Sequence, residues 1–209
     1  MLQRGANIFC LGKNFADHAR ELGSEPPSSP IWFTKLASTF IGNTEEVMIP
    51  DWLHGGVDCE AEIAILVDSE LYQSTATDCQ SAISAYTCAN DITARSVQST
   101  DRDQGLPWFR AKNVHSFGAI GPQWLKYPGE EMFSQLELCG RVNGEIVQLA
   151  TLGDMIFSPA DALSELSRWH KIRPGDVLLL GTPAGVRKIF PGDILEVSCG
   201  ELLLTNTVA

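Results

Sequence analysis

No C-x-x-C pair occurs among the six cysteines, Cys10, Cys59, Cys79, Cys88, Cys139 and Cys199, so nothing suggests a zinc knuckle or a dithiol redox motif. They are spread thinly through a chain long enough to hold itself together. Several sit inside apolar runs. They read as reduced, mostly buried thiols of a cytoplasmic protein. No apolar run approaches bilayer-spanning length, and the opening MLQRGANIFCLGKN lacks the apolar stretch of a signal peptide. Basic residues are scarce: 15 Lys and Arg stand against 26 Asp and Glu, a formal net charge of −11. Such a surface repels phosphate backbones and anionic lipid, so neither nucleic acid nor membrane is expected as a partner. Metal cations suit it better. An anionic substrate would need local cations, or a metal, to reverse the field in one cleft. No linker or low-complexity segment divides the 209 residues, and one domain over residues 1–209 is expected.

What is present is a succession of short strands with about three helices. NIFCLG, IWFTKL and EEVMIP read as strands, and NFADHARELG as a short helix ended by Gly23. SEPPSSP is too rich in proline and serine for regular structure and is expected to be a mobile loop. ATDCQSAISAYTCAN starts as a helix, with Thr77 as N-cap and Asp78 in its first turn, and then runs into an apolar strand. The polar ITARSVQSTDRDQG includes a short helix. SFGAIGPQWL reads as strand and turn. LELCGRVNGEIVQLA is a hairpin turned by Asn143-Gly144. SPADALSELSRWHKI is an amphipathic helix with Ser158 as N-cap and Pro159 behind it. PGDVLLL and PGDILEV each start a strand from a tight turn. Strands and helices do not alternate strictly, which indicates an α+β fold.

The stretch GGVDCEAEIAILV combines a core strand with acids at alternate positions. By the period of two, Val57, Cys59, Ala61, Ile63, Ile65 and Val67 share an apolar face; Asp58, Glu60, Glu62, Ala64 and Leu66 share the other. Taken alone, this strand is better read as half-exposed, with its polar side in water. Against that, Ala64 and Leu66 suggest that the acidic face also becomes buried, where adjacent carboxylates need a cation between them. Asp91, in ANDITAR, ends an apolar strand, where an Asx turn or helix cap is the plainer reading. Together the three acids would make a hard-oxygen site suited to Mg²⁺ or Mn²⁺, with no His or Cys nearby in sequence to favour zinc. In ADHARELG, His18 and Glu21 share a helix face. A carboxylate beside an imidazole orients it as a general base requires, although such pairs are common on solvated helices.

In order, LGKNFADHARELG, VDCEAEIAILV, ANDITARSVQ, GLPWFRAKNVHSFGAIGP, RVNGEIVQ, DMIFSP, KIRPGDVLLLGTPAGV and PGDILEV resemble the fumarylacetoacetate hydrolase family over nearly the whole chain, in particular its short acylpyruvate hydrolase-like branch. The resemblance implies a strand-rich α+β fold with a mixed β-roll and a few short helices, usually as a homodimer or a dimer of dimers. It implies that Glu60, Glu62 and Asp91 bind Mg²⁺ or Mn²⁺. It also implies that Arg95, Gln98 and Lys112 contact substrate and that Thr182 of GTPAG holds a substrate carboxylate. His18 and Glu21 match a water-activating pair on a lid spanning about residues 14–30. Lys112 would also add positive charge at the reacting centre. The implied partner is a small 2-oxo acid, and the implied reaction is metal-dependent hydrolysis of a C–C bond in an acylpyruvate such as fumarylpyruvate or acetylpyruvate. The same site would serve an isomerase, tautomerase or decarboxylase acting on oxaloacetate or 2-hydroxyhepta-2,4-diene-1,7-dioate. A non-catalytic metal- or ligand-binding protein is the third reading. Asp58 and Asp103 are not carried over and read as solvated or turn residues. Departures from the family pattern are Lys35-Leu36 in place of Lys-Pro, Arg187-Lys188 in place of Gly-Pro, and His115, taken as structural.

Overall fold

The alternation in residues 57–67 is realised as two strands, Val57–Cys59 and Ala61–Val67, with Glu60 at the break between them. Within the second, Ala61, Ile63, Ile65 and Val67 enter the main core, while Ala64 and Leu66 face a separate cluster with Ile8, Cys10, Val177 and Leu179. Both faces are therefore covered, as befits an interior strand. In this computed structural model, Leu2, residues 5–21, Gly23 and residues 25–209 are described. Leu22 and Ser24, within the expected lid, lie outside the described residues.

Ala61–Val67 lies at the middle of an eight-stranded sheet. The order is Ile31–Lys35, Ile8–Gly12, Val177–Leu179, Ala61–Val67, Ile83–Asp91, Gly118–Ile120 and Phe40–Ile41, with Leu125–Lys126 paired to Ile83–Asp91. A five-stranded sheet runs Glu145–Thr151, Glu137–Val142, Ile194–Cys199, Leu202–Val208 and Glu46–Val47. Arg187–Lys188, Val57–Cys59 and Thr93–Ala94 form a third, small sheet. Ile8–Gly12 runs parallel to Val177–Leu179, and Ile63 pairs antiparallel with Cys88, so the main sheet is mixed. The result is the strand-rich α+β architecture expected. The main core includes Ile63 and Ile65 from the large sheet and Leu138, Val197 and Leu204 from the five-stranded one. The helices Ala76–Ala82 and Pro159–Trp169 pack together and contribute Cys79, Ala82, Leu163 and Leu166 to the same core. Each fully buried Leu or Ile contributes about 1.5–3 kcal/mol relative to exposure.

Several local expectations are met. Asn143 and Gly144 both have positive φ, 52° and 80°, as a two-residue hairpin turn twisted with its strands requires. Ser158 caps the Pro159–Trp169 helix by accepting from the Asp161 N–H. All six cysteines are free and buried. Other expectations need correction. Six α-helices occur among the described residues, more than the three or so expected: Arg95–Asp103 is the short helix read in ITARSVQSTDRDQG, and Phe109–Lys112 and Glu130–Phe133 are additional single turns. EEVMIP shrinks to Glu46–Val47. The cap of the Ala76–Ala82 helix lies two residues earlier than read: Thr75, not Thr77, is the N-cap, and its side chain and that of Asp78 form a reciprocal capping box. His115 is exposed at the surface and packs in no core. Among the described residues, no helix is long and apolar enough to cross a membrane.

The two candidate caps can be told apart by mutation. Thr75→Ala should lower unfolding free energy by about 1 kcal/mol in urea denaturation. Thr77→Ala should stay within about 0.5 kcal/mol of wild type, and the reverse ranking would refute the assignment.

Candidate active site

Three elements bring three acids together. Glu60 sits at the strand break, Glu62 is the second residue of Ala61–Val67, and Asp91 ends Ile83–Asp91, the antiparallel neighbour in which Ala61 faces Asn90. One carboxylate oxygen from each lies within 4.8 Å of the others, and all three residues are buried. The Asp91 N–H donates to the Glu60 carbonyl, and the Glu60 N–H donates to Asn90 Oδ1, which ties the strand break to its neighbour.

Cations converge on this cluster from separate parts of the chain. Lys112 Nζ lies 2.8 Å from Glu60 Oε2 and 2.5 Å from Asp91 Oδ2, and donates to Thr93 Oγ1. Lys35 Nζ donates to Asp91 Oδ1 at 2.6 Å. Arg95 donates through Nη2 to Glu60, through Nη1 to Gln98 Oε1 and through Nε to Asp58 Oδ2. Burial by itself would raise the Glu60 pKa, but the charge of Lys112, and then that of Arg95, overrides it and holds the carboxyl well below the usual range. Glu62 goes the other way. Burial and the negative charges of Asp91 and Glu60 push it well above its ordinary value. Among the described residues its one hydrogen bond comes from the Gly181 N–H, at 2.8 Å. Gly181 has φ +90°, and a Cβ there would meet Asn14 Cβ at 2.9 Å, so only glycine brings this N–H to the carboxylate.

The donor set fits a hard divalent cation. Two oxygens on one Mg²⁺-sized ion, each at about 2.0–2.1 Å, lie at most about 4.2 Å apart, so small side-chain rotations would close the triad. Glu62, which has no ammonium or guanidinium paired with it among the described residues, is the carboxylate whose charge such a cation would compensate.

His18 and Glu21 lie on the helix Ala16–Glu21. His18 is 4% exposed, and its Nδ1 lies 2.9 Å from Glu21 Oε2. The other oxygen of Glu21 accepts from the Gly185 N–H at 3.1 Å, which ties this helix to the loop that carries Thr182. Asn14 fixes the approach to the helix: its side chain donates to the Phe157 and Leu180 carbonyls and accepts from the Phe157 N–H. His18, Glu60, Glu62, Arg95, Gln98, Lys112 and Thr182 line one cavity of about 20 Å³, with Lys13, Phe33 and Trp108 at its walls. Every expected site residue except Glu21 and Asp91 therefore faces this space. Glu21 stands behind His18, and Asp91 is wholly buried behind Lys35 and Lys112.

Thr182 lines the cavity with its hydroxyl already engaged. Its hydroxyl donates its proton to the Ala61 carbonyl at 2.8 Å and accepts from Gln148 Nε2 at 2.7 Å, so a carboxylate would have to compete for that proton. Asp58 is corrected outright. It is neither a turn residue nor freely solvated, but a strand residue paired with Arg95, with 16% of its side chain exposed. Asp103 is exposed and pairs with Arg102, as a solvated acid does. Arg187 pairs with Glu145 at the surface. Sequence reading passed over two buried residues. Lys35 figured only as the neighbour of a missing proline, yet a lysine ending an apolar strand was itself a signal. Gln148, 1% exposed, donates to Thr182 and Pro183 and accepts from the Ala61 N–H.

Residues 7–209 match the family profile described as Fumarylacetoacetate (FAA) hydrolase C-terminal. A fumarylpyruvate hydrolase from Pseudomonas aeruginosa, solved in complex with Mn²⁺ and pyruvate, superposes with a TM-score of 0.88 at 27% identity, covering 97% of this chain and 89% of that one. A 2-hydroxyhepta-2,4-diene-1,7-dioate isomerase from Mycobacterium marinum gives a TM-score of 0.85 at 30% identity, covering 98% and 74%. A human mitochondrial oxaloacetate tautomerase, FAHD2A, is 34% identical over 183 residues, 88% of this chain and 57% of its own length. With the buried acids on adjoining strands, the converging lysines and the profile match from residue 7 to residue 209, the chain belongs to the fumarylacetoacetate hydrolase family.

Proposed function

We propose that the protein hydrolyses a C–C bond in acylpyruvate-type 2-oxo acids, with a divalent cation, Mg²⁺ or Mn²⁺, held by Glu60, Glu62 and Asp91. The observation that carries this reading is that His18, backed by Glu21, lines the same cavity as Glu60 and Glu62 of the acidic triad. Hydrolysis needs a base placed to take a proton from water beside a cation site; tautomerisation also moves a proton, between carbon and the enol oxygen, but a carboxylate of the cluster could carry it without His18.

The bound cation would supply Lewis-acid polarisation of the 2-oxo acid and hold negative charge as it develops on the enolate oxygen. The chain's own groups do the rest. With Nδ1 taken up by Glu21, His18 has Nε2 left to accept a proton from water, and the Glu21 carboxylate stabilises the resulting imidazolium. The water oxygen adds to the distal carbonyl. Collapse breaks the C–C bond, releases the distal acid and leaves the electron pair on the pyruvate portion as its enolate, which protonation converts to pyruvate. The Lys112 ammonium, fixed by Glu60, Asp91 and Thr93, offsets the enolate charge from within the protein. Arg95 and Gln98 orient the substrate. A cavity of about 20 Å³ is too small for an acylpyruvate, so the Ala16–Glu21 helix acts as a lid that opens for entry and shuts water out afterwards.

Tautomerisation or isomerisation is the second reading. A triad carboxylate could carry the proton between carbon and oxygen while Lys112 offsets the enolate charge, and two of the relatives are named for such reactions.

A panel of acetylpyruvate, fumarylpyruvate and oxaloacetate with Mg²⁺, followed by enol absorbance and by pyruvate release, separates the two. His18→Ala should cut pyruvate release by about 10²–10⁴-fold while leaving enol conversion largely intact. Loss of enol signal without pyruvate in the wild-type protein would sink the hydrolase reading. Calorimetric titration with Mn²⁺ tests the metal site independently of turnover. Glu62→Gln should weaken binding by at least about 10-fold, and an unchanged isotherm would remove Glu62 from the metal site.

A further inference from the structure

Asp58 is the acid left over by the triad. It shares a strand with Cys59 and stands across from Thr93, just before the helix that carries Arg95. Gly55 brings this segment close to that helix: its φ is +130°, and a Cβ there would lie 2.3 Å from Ser96 Oγ. The Ser96 N–H in turn reaches the Gly56 carbonyl at 3.4 Å. With the strand pressed against the first helical turn, Asp58 Oδ2 comes within 2.7 Å of Arg95 Nε.

A guanidinium carries five N–H donors in a rigid plane. Arg95 uses one on Nε for Asp58, one on Nη1 for Gln98 and one on Nη2 for Glu60. One further N–H remains on each Nη. Glu60 is also the partner of Lys112 and a member of the acidic triad. Bidentate pairing is the strongest arrangement open to a guanidinium and a carboxylate, so an untethered Arg95 would turn its Nε edge onto Glu60. Asp58 prevents this by occupying that edge.

We propose that Asp58 is a positioning residue for substrate binding: it holds the Nε edge of Arg95, so that the remaining Nη protons stay available to the carboxylate or 2-oxo oxygen of a 2-oxo acid. The proposal rests on the reading that Arg95 contacts substrate. Asp58 itself touches no substrate, and its effect runs through Arg95 alone.

The test is a double-mutant cycle with two readouts: steady-state kinetics on whichever 2-oxo acid of the panel is turned over, and calorimetric binding of pyruvate in the presence of Mn²⁺. The second needs no turnover, so it stands even if the hydrolase reading fails. Asp58→Ala should raise KM and the pyruvate Kd by about 10-fold, with kcat changed by less than about 3-fold. Asp58→Asn, which keeps an oxygen acceptor, should fall between it and wild type. The Asp58→Ala/Arg95→Ala double variant should bind no worse than Arg95→Ala. Losses that multiply in the double variant would overturn the proposal, as would a lower Tm in Asp58→Ala with KM and Kd unmoved. An Arg95→Ala protein with wild-type Kd and KM would overturn the substrate role of Arg95, and the proposal with it.

Discussion

Three carboxylates buried at one point constrain the rest of this structure. An isolated charge buried without a partner costs several kcal/mol, and removing one member of a buried pair costs about 3–5 kcal/mol. The fold meets this by bringing Lys35, Lys112 and Arg95 to the cluster from a strand end and two short helices. Each cation has a specific oxygen partner. The charge remains uneven, with Glu60 driven down and Glu62 driven up. That asymmetry is the physical basis for assigning a further cation to the Glu62 side.

Neutral struts hold the charged groups in place. Gln148 connects the outer strand of the five-stranded sheet to Thr182, Pro183 and Ala61. Asn14 connects the approach to the Ala16–Glu21 helix with residues 157 and 180. Each amide spends both donor and acceptor on partners within the protein, and none of the described buried side-chain polar atoms lacks one. Such fully satisfied networks favour one arrangement of the loops they join. Glu21 adds a link by serving His18 and the Gly185 N–H together. The position of the proposed base is thereby coupled to the loop bearing Thr182.

Much of this was legible from periodicity and local chemistry. The alternation of residues 57–67 separated core-facing from acidic positions, and both faces proved buried. The Asn143-Gly144 turn and the Ser158 cap follow from backbone rules that operate within a few residues. The reading of Thr77 as a cap failed because Thr75 offers the same chemistry, and only the reciprocal bond with Asp78 decides between them. Asp58 was misread for a related reason. A period of two says which way a side chain points but not what stands opposite.

By itself the sequence determined the α+β class, the pair of acids on one strand face and the His18–Glu21 spacing, because all three depend on separations of a few residues. Resemblance added Arg95, Lys112 and Thr182 as candidates. Tertiary structure alone decided that Lys35 ends against Asp91, 56 positions away, that the Thr182 hydroxyl proton is committed to Ala61, and that Asp58 holds Arg95. These contacts join distant parts of the chain, and burial makes each of them obligatory: a charge or a hydroxyl shut away from water takes whatever partner the fold sets beside it.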